Sequence, residues 1–190
     1  MNIDFTVFFD IKNFDEFYNN IFFDLDKSKF NYRVITYDKM KDLSQKENIL
    51  KYQGYIYMQK DSFIIYRNNC IDGWINRIRN KALKNNLRVV HVVINDEKPY
   101  PGYQLQYYNK GKERIIYSIY DGSRWMFYSK GEQQSFENNN NYNEKGPTKK
   151  FNKEKILEYC KNLGIIIDEN FFKPTSKIFN DYHLNNIITK

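Results

Sequence analysis

Cysteine and histidine are scarce in this chain, two of each in 190 residues. Cys70 and Cys160 lie far apart, too few for a disulfide framework, and read as two reduced, buried thiols. None of the four residues sits at ligand spacing, so neither a zinc site nor any other metal centre is expected. Long hydrophobic runs are missing too. Nothing approaches the roughly 20 apolar residues that a membrane helix requires. The opening MNIDFTVFFDIKNFDE has no basic n-region, no apolar h-region and no small-residue cleavage site, so no signal peptide is read and a cytoplasmic protein is expected. The patterns G-x-x-x-x-G-K-[ST], G-x-G-x-x-G and G-x-S-x-G do not occur. The P-loop, Rossmann and hydrolase readings lose their usual warrant, and no cofactor is expected.

What the chain has in abundance is aromatic surface. Seventeen Tyr and fifteen Phe supply a sizeable core, and Tyr suits half-exposed sheets and binding surfaces because it buries a ring while its hydroxyl stays wet. An AT-rich coding sequence would supply the same residues, so the excess alone does not name an interface. The net charge is +7, unevenly placed: Met1–Asp26 is acidic and the positive excess follows residue 60. That asymmetry points to an acidic partner, whether nucleic acid, an anionic surface or an acidic protein.

Periodicity organises the chain around Tyr103–Glu137. Three aromatic-apolar runs, Tyr103–Tyr108, Arg114–Tyr120 and Arg124–Ser129, are separated by turn residues and predict an antiparallel meander. Asp121-Gly122 predicts a two-residue type I′ turn pairing Tyr120 with Ser123, Ser118 with Trp125 and Ile116 with Phe127. Asn109-Lys110-Gly111-Lys112 closes the hairpin before it, and Lys130-Gly131 ends the third strand. Upstream, Ile3–Ile11 and Tyr32–Tyr37 read as strands. Asn13 with Glu16 resembles a capping box, opening an amphipathic helix through Phe14, Phe17, Tyr18, Ile21, Phe22 and Leu25. Tyr55–Gln59 and Ser62–Tyr66 flank a tight turn at Lys60-Asp61. A helix over Asn69–Asn86 leads into Leu87–Ile94, apolar on both faces apart from His91 and therefore central. Asn138–Lys150 reads as a mobile polar loop. Asn152 caps a helix that ends at Gly164, Ile165–Ile167 is a candidate short strand, and the apolar tail 168–190 is expected to dock on the body. These elements predict one α+β domain spanning 1–190, a mostly antiparallel sheet with a central meander and helices packed on one face.

Candidate chemistry is thin, and no catalytic residue is assigned. His91 has the placement of a core histidine more than that of a general base. Asp96 and Lys98 have the D-x-K spacing of metal-dependent nucleases, with Asp72 the nearest further carboxylate, but Lys98 precedes a proline in a loop. Arg77, Lys81, Lys84 and Arg88 fall on one helical arc. With Tyr107, Tyr108 and Tyr120 as stacking rings, they would form a phosphate-tracking face. The same arc reads more simply as a solvated helix face.

Asp121-Gly122-x-Arg124-Trp125-x-Phe127-x-x-x-Gly131, followed by Phe136-Glu137, Tyr142, Lys149-Lys150-Phe151, Leu157, Tyr159 and Leu163-Gly164-Ile165, resembles the C-terminal half of small bacterial immunity-type proteins encoded beside polymorphic or contact-dependent toxins. The resemblance covers about Tyr120–Ile165. It implies a non-enzymatic inhibitor, monomeric or dimeric, that binds a cognate toxin domain and occludes its active site. Arg77, Lys81, Lys84, Arg88, Tyr107, Tyr108, Tyr120 and Arg124 are then the candidate partner contacts. Nucleic-acid binding through the basic helix 72–88 is the alternative, and a small enzyme using His91 or Asp96 and Lys98 the third reading.

Overall fold

In the computed structural model, the residues described are 2–11, 16, 30–35, 55–59, 63–68, 80, 81, 83–168, 171 and 178–184. The expected helix from Asn13 and most of the one over Asn69–Asn86 lie outside them. In chain order the elements are β1 (Asn2–Phe8), β2 (Phe30–Ile35), β3 (Tyr55–Gln59), β4 (Ile64–Asn68), β5 (Val89–Asn95), β6 (Gly102–Asn109), β7 (Lys112–Tyr120) and β8 (Trp125–Lys130). A 3-10 helix (Asn139–Asn143), α1 (Pro147–Lys150), α2 (Lys153–Asn162) and β9 (Ile178–Leu184) follow. Two compact units result, one of Met1–Thr6 with Arg88–Phe171, the other of Val7–Leu87 with Phe172–Lys190.

Among the described residues, the strand pairs of the second unit are antiparallel. β3 and β4 pair antiparallel as expected, but Gln59 lies opposite Ile64, so the second strand runs Ile64–Asn68 rather than Ser62–Tyr66, and the expected turn at Lys60-Asp61 lies outside the described residues. β9, drawn from the apolar tail, lies between β2 and β3 and pairs with both. The tail thus contributes a strand that its sequence did not mark as one.

In the first unit β5, β6, β7 and β8 form a continuous antiparallel run, with β1 beside β5. Side chains alternate across it. One face carries Val90, Val92 and Ile94 of β5 opposite Tyr107, Leu105 and Tyr103 of β6, then Arg114, Ile116 and Ser118 of β7. This face is covered. Tyr107 meets Phe136 edge-on at 5.1 Å, and Phe136 meets Tyr159 of α2 at 5.9 Å. α2 inserts Ile156, Tyr159 and Cys160, all 0% exposed. Burial of an apolar side chain of this size contributes about 1.5–3 kcal/mol. The same burial pushes the Cys160 thiol up to about 12. The architecture is α+β, a meander with its helices on one face.

The ends of α2 follow from its sequence. Asn152 Oδ1 accepts from the Lys155 N–H at 3.1 Å. At the other end Gly164 adopts φ +82, Ile165 N–H donates to Cys160 O at 2.8 Å and Gly164 N–H to Lys161 O at 2.9 Å. That pair of bonds is a Schellman motif, which glycine closes without a Cβ penalty. Ile165–Ile167 is consequently irregular chain rather than a strand.

The first turn of the meander falls where the sequence places it, and the second differs from expectation in an informative way. The left-handed pair falls at Lys110 (φ 47) and Gly111 (φ 76), between Asn109 and Lys112 of the first hairpin. In the second hairpin Asp121 is not left-handed, so a type I′ turn there is excluded. Its carboxylate Oδ1 instead accepts from the N–H groups of Ser123 (2.8 Å) and Arg124 (2.9 Å) and from the Ser123 hydroxyl (2.8 Å). The side chain caps a four-residue loop, 121–124, and pairs Tyr120 with Trp125 and Ser118 with Phe127. The register moves by two residues, so every side chain keeps its face.

Expected as a structureless polar loop, segment 138–150 holds the 3-10 helix and α1 instead, because Asn138 Oδ1 caps Asn140 at 3.1 Å and Pro147 opens α1. What fixes this segment is a buried ion pair. Arg114 sits on the covered face, its side chain 2% exposed, against Glu137, whose side chain is 0% exposed. Arg114 Nε and Nη2 donate to the two carboxylate oxygens at 2.8 and 2.7 Å. Nη1 donates to Ser129 Oγ at 2.6 Å and to the carbonyls of Lys130 and Gly131. Glu137 also accepts from Gln134 N–H at 2.8 Å and from the Tyr142 hydroxyl. Burial pulls the guanidinium pKa down, but hydrogen bonds and charge from Glu137 outweigh it and hold the group above its ordinary value. Burial, then the bond to Glu137, drives the Tyr142 phenol well above its usual range.

Three outcomes follow from this geometry. Gly131 has φ +86, and a Cβ there would lie 2.1 Å from Glu113 O. Gly131→Ala should therefore cost at least about 2 kcal/mol in urea unfolding; a change within error would refute the placement. Arg114→Met leaves a buried carboxylate unpaired and should cost about 3–5 kcal/mol, with Arg114→Met/Glu137→Leu recovering part of that loss. A double-mutant cycle with no coupling would contradict it. Turn hydrogen bonds from the Arg124 and Ser123 backbones hold Asp121 down to about 2, against an ordinary 3.8. Its ionised form stabilises the fold fully above the ordinary value, and that contribution fades as pH falls through the folded one. The Tm gap between Asp121→Ala and the unsubstituted chain should be constant near neutrality and close below pH 4.

Candidate binding surface

The opposite face of the same run carries His91 and Val93 of β5, Gln104, Gln106 and Tyr108 of β6, Ile115, Tyr117 and Ile119 of β7, and Met126 and Tyr128 of β8. Burial on it declines from β5 towards β8. His91 and Tyr108 are buried, Ile115, Tyr117, Ile119 and Met126 are half-buried, and Tyr128 is 41% exposed. Tyr117 and Tyr128 stack across the strand pair at 4.9 Å and 18°. Gly102 opposes Ile119 in the register, and a Cβ there would come within 3.0 Å of Ile119 Cγ2. The absence of a side chain lets Ile119 settle onto the sheet. The result is a firm aromatic and aliphatic surface on paired backbone, flanked by the Lys130–Glu113 ion pair.

At the end of the sheet near the 121–124 turn, a second group gathers. Tyr103 stacks on Trp125 at 5.7 Å and 5°, and Tyr120 lies 6.0 Å from Trp125. Asp96 accepts from Lys153 Nζ at 2.9 Å and from the Tyr103 hydroxyl at 3.2 Å. The Lys153 hydrogen bond, chiefly, holds the Asp96 carboxyl below its ordinary value. The D-x-K spacing therefore does not unite Asp96 with Lys98: the lysine that reaches Asp96 comes from the start of α2. Asp72 lies outside the described residues.

His91 is a core residue, with Nδ1 3.2 Å from Thr6 Oγ1 and 3.8 Å from the Asp4 carboxylate. Among the described residues no group of three His, Cys, Asp or Glu is placed to hold a metal ion, and no helix is long and apolar enough to cross a membrane.

The residues singled out from sequence divide between the two units. Arg77 is outside the described residues. Lys81 is half-buried and Lys84 exposed on the helical turn that lines an open groove with Asn80 and Leu83. Arg88 is not on that helix, because the helix closes at Asn86 (φ 54) with its N–H on Leu83 O, two residues earlier. Tyr107 and Tyr108 are 8% and 0% exposed. Tyr107 packs on Phe136 and Tyr108 donates to Gln106 Oε1 at 2.7 Å, so neither ring can stack on a partner. Tyr120 is half-buried against Trp125, and Arg124 is exposed in the turn.

Tyr117, Tyr128, Met126 and Ile119 were missed. Their shared face was visible in the period-two pattern, but which face the helices cover was not. No protein-family model, curated protein or solved structure matches the chain.

Proposed function

We propose that this protein is a non-enzymatic binding module, an immunity-type inhibitor that acts in the bacterial cytoplasm by occluding a cognate toxin domain. The observation that carries the reading is the uncovered half of the meander around the Tyr117–Tyr128 stack. Rigid, amphipathic rings on a fixed backbone lose little side-chain entropy on association and are the residues most enriched at binding hot spots. The other face of the same strands is committed to α2 and to the Arg114–Glu137 pair, which leaves this one as the recognition surface. A net charge of +7 suits a partner with an acidic cleft and would steer its approach.

The basic turn with Lys81 and Lys84 beside an open groove supports nucleic-acid binding as the second reading. The two readings separate in one experiment: tagged protein is recovered from its host and the eluate is treated with nuclease before mass spectrometry. One stoichiometric protein surviving the treatment supports the inhibitor, and Tyr128→Ala should weaken its binding by about 2 kcal/mol, roughly thirtyfold. Loss of all bound material on nuclease treatment, with steep salt dependence of binding, would replace it with the second reading.

A further inference from the structure

We infer that the outer edge of β8 is a docking site for an extended acidic segment of the partner, which adds to the sheet as a further strand. This rests on the protein-binding reading above and specifies how the partner is held.

β8 is the last strand in the order of the first unit, and the direction of its main-chain groups follows from one hydrogen bond. Tyr120 N–H donates to Pro101 O, on the β6 side, at 3.0 Å. Successive residues of a strand aim their N–H and C=O at alternate edges. Ile119, Tyr117 and Ile115 therefore point towards β8 and meet Met126, Tyr128 and Lys130. The bond from Asp121 N–H to Arg124 O fits the same alternation. By elimination Trp125, Phe127 and Ser129 aim their N–H and C=O outward. Among the described residues no backbone hydrogen bond reaches the amides of Phe127 and Ser129.

Sheet edges that are not to be paired are usually blunted by charge, proline or a bulge. β8 has none of these between Trp125 and Ser129, and its pairing with β7 is unbroken from Tyr120–Trp125 to Ile115–Lys130. The strand is also held firmly, since Ser129 Oγ accepts from the buried Arg114 and Gly131 cannot be replaced without a clash. A rigid edge with satisfied side chains and open main-chain groups is what strand addition uses.

Charge selects the occupant. Arg124 is exposed at the start of β8, Lys149 is exposed on α1, which packs against β8, and the Lys150 ammonium lies 5.5 Å over the Phe127 ring. The nearby acids are largely committed: Glu113 to Lys130, Glu132 to Lys112, and Asp121 Oδ1 to its own turn. Glu144 is exposed beside Lys145. A second copy pairing across a two-fold axis would set the Arg124, Lys149 and Lys150 flank near its own image. An acidic strand meets the opposite charge.

The test is amide exchange by NMR on the full chain. In the free protein the Phe127 and Ser129 amides should exchange at least about tenfold faster than those of Met126 and Tyr128. An acetylated eight-residue peptide of alternating Thr and Glu should slow Phe127 and Ser129 by about tenfold, and the Thr-Lys peptide should not. Lys149→Glu, on the surface and outside the fold's ion pairs, should abolish the effect. Outward amides protected at every dilution in the free protein would overturn the proposal, as would protection that grows with protein concentration, the mark of a second copy. Absence of protection by the Thr-Glu peptide would overturn it as well. A captured partner protein that leaves both amides exchanging sinks the edge and spares the binding module. Peptide protection in a protein that captures no partner sinks the module instead.

Discussion

A buried arginine on a β-strand is unfavourable unless each of its donors is met, and the way Arg114 is met orders the first unit. The desolvation of a guanidinium and a carboxylate amounts to several kcal/mol per ion. Only close geometry with supplementary hydrogen bonds offsets it. Here Nε, Nη1 and Nη2 all find oxygen, and Glu137 takes two further donors from Gln134 and Tyr142. The partners come from β7, the end of β8, and the chain between β8 and α2. None of these segments can move without stranding a charge. Tyr142 extends the arrangement, lying 5.5 Å from the guanidinium and accepting from Tyr159 of α2 at 3.4 Å. An asparagine-rich stretch with little apolar content is held in place by polar contacts in place of a hydrophobic core of its own.

The meander that receives this pair is set by two kinds of turn chemistry. Lys110-Gly111 supplies the left-handed backbone that a tight hairpin demands, whereas Asp121 acts through its side chain. The carboxylate collects three donors, and the loop widens to four residues to accommodate it. Gly122 stays necessary at φ +98, so the same dipeptide serves a different loop. The alternation of faces survives because the shift is even.

Sequence reading recovered what is encoded locally. The Asn152 cap and Gly164 stop of α2 each depend on a few adjacent residues, and the alternating aromatic runs mark strands whatever they pair with. What it could not supply depends on which side of the sheet is covered. Tyr107 and Tyr108 are adjacent and chemically identical, and both are buried, one under Phe136 and the other beside Gln106. Period two assigns them to opposite faces, so at least one looked exposed. Nothing local marks Arg114 as buried, since a charge at an alternating position ordinarily belongs to the solvent face. Its partner lies 23 residues on, and no local pattern announces a contact at that distance. Arg88 illustrates the limit of a helical wheel: Asn86 ends the helix before the arc reaches it.

The same commitment that buries one face defines the other. With Arg114, Ser129 and Phe127 turned towards Glu137, Tyr142 and α1, the remaining side chains of β7 and β8 must project from the opposite side. They are Ile115, Tyr117, Ile119, Met126 and Tyr128, with the Glu113–Lys130 ion pair at one end. A surface of this composition is expensive to leave facing water, since each half-exposed ring forgoes part of its burial free energy. A polar substitution at Tyr117 or Met126 would leave the backbone ladder and the ion pair in place and remove the half-buried packing around the Tyr117–Tyr128 stack. Under the proposed reading a partner covers them, and the basic flank at Arg124 and Lys149 suits an acidic one.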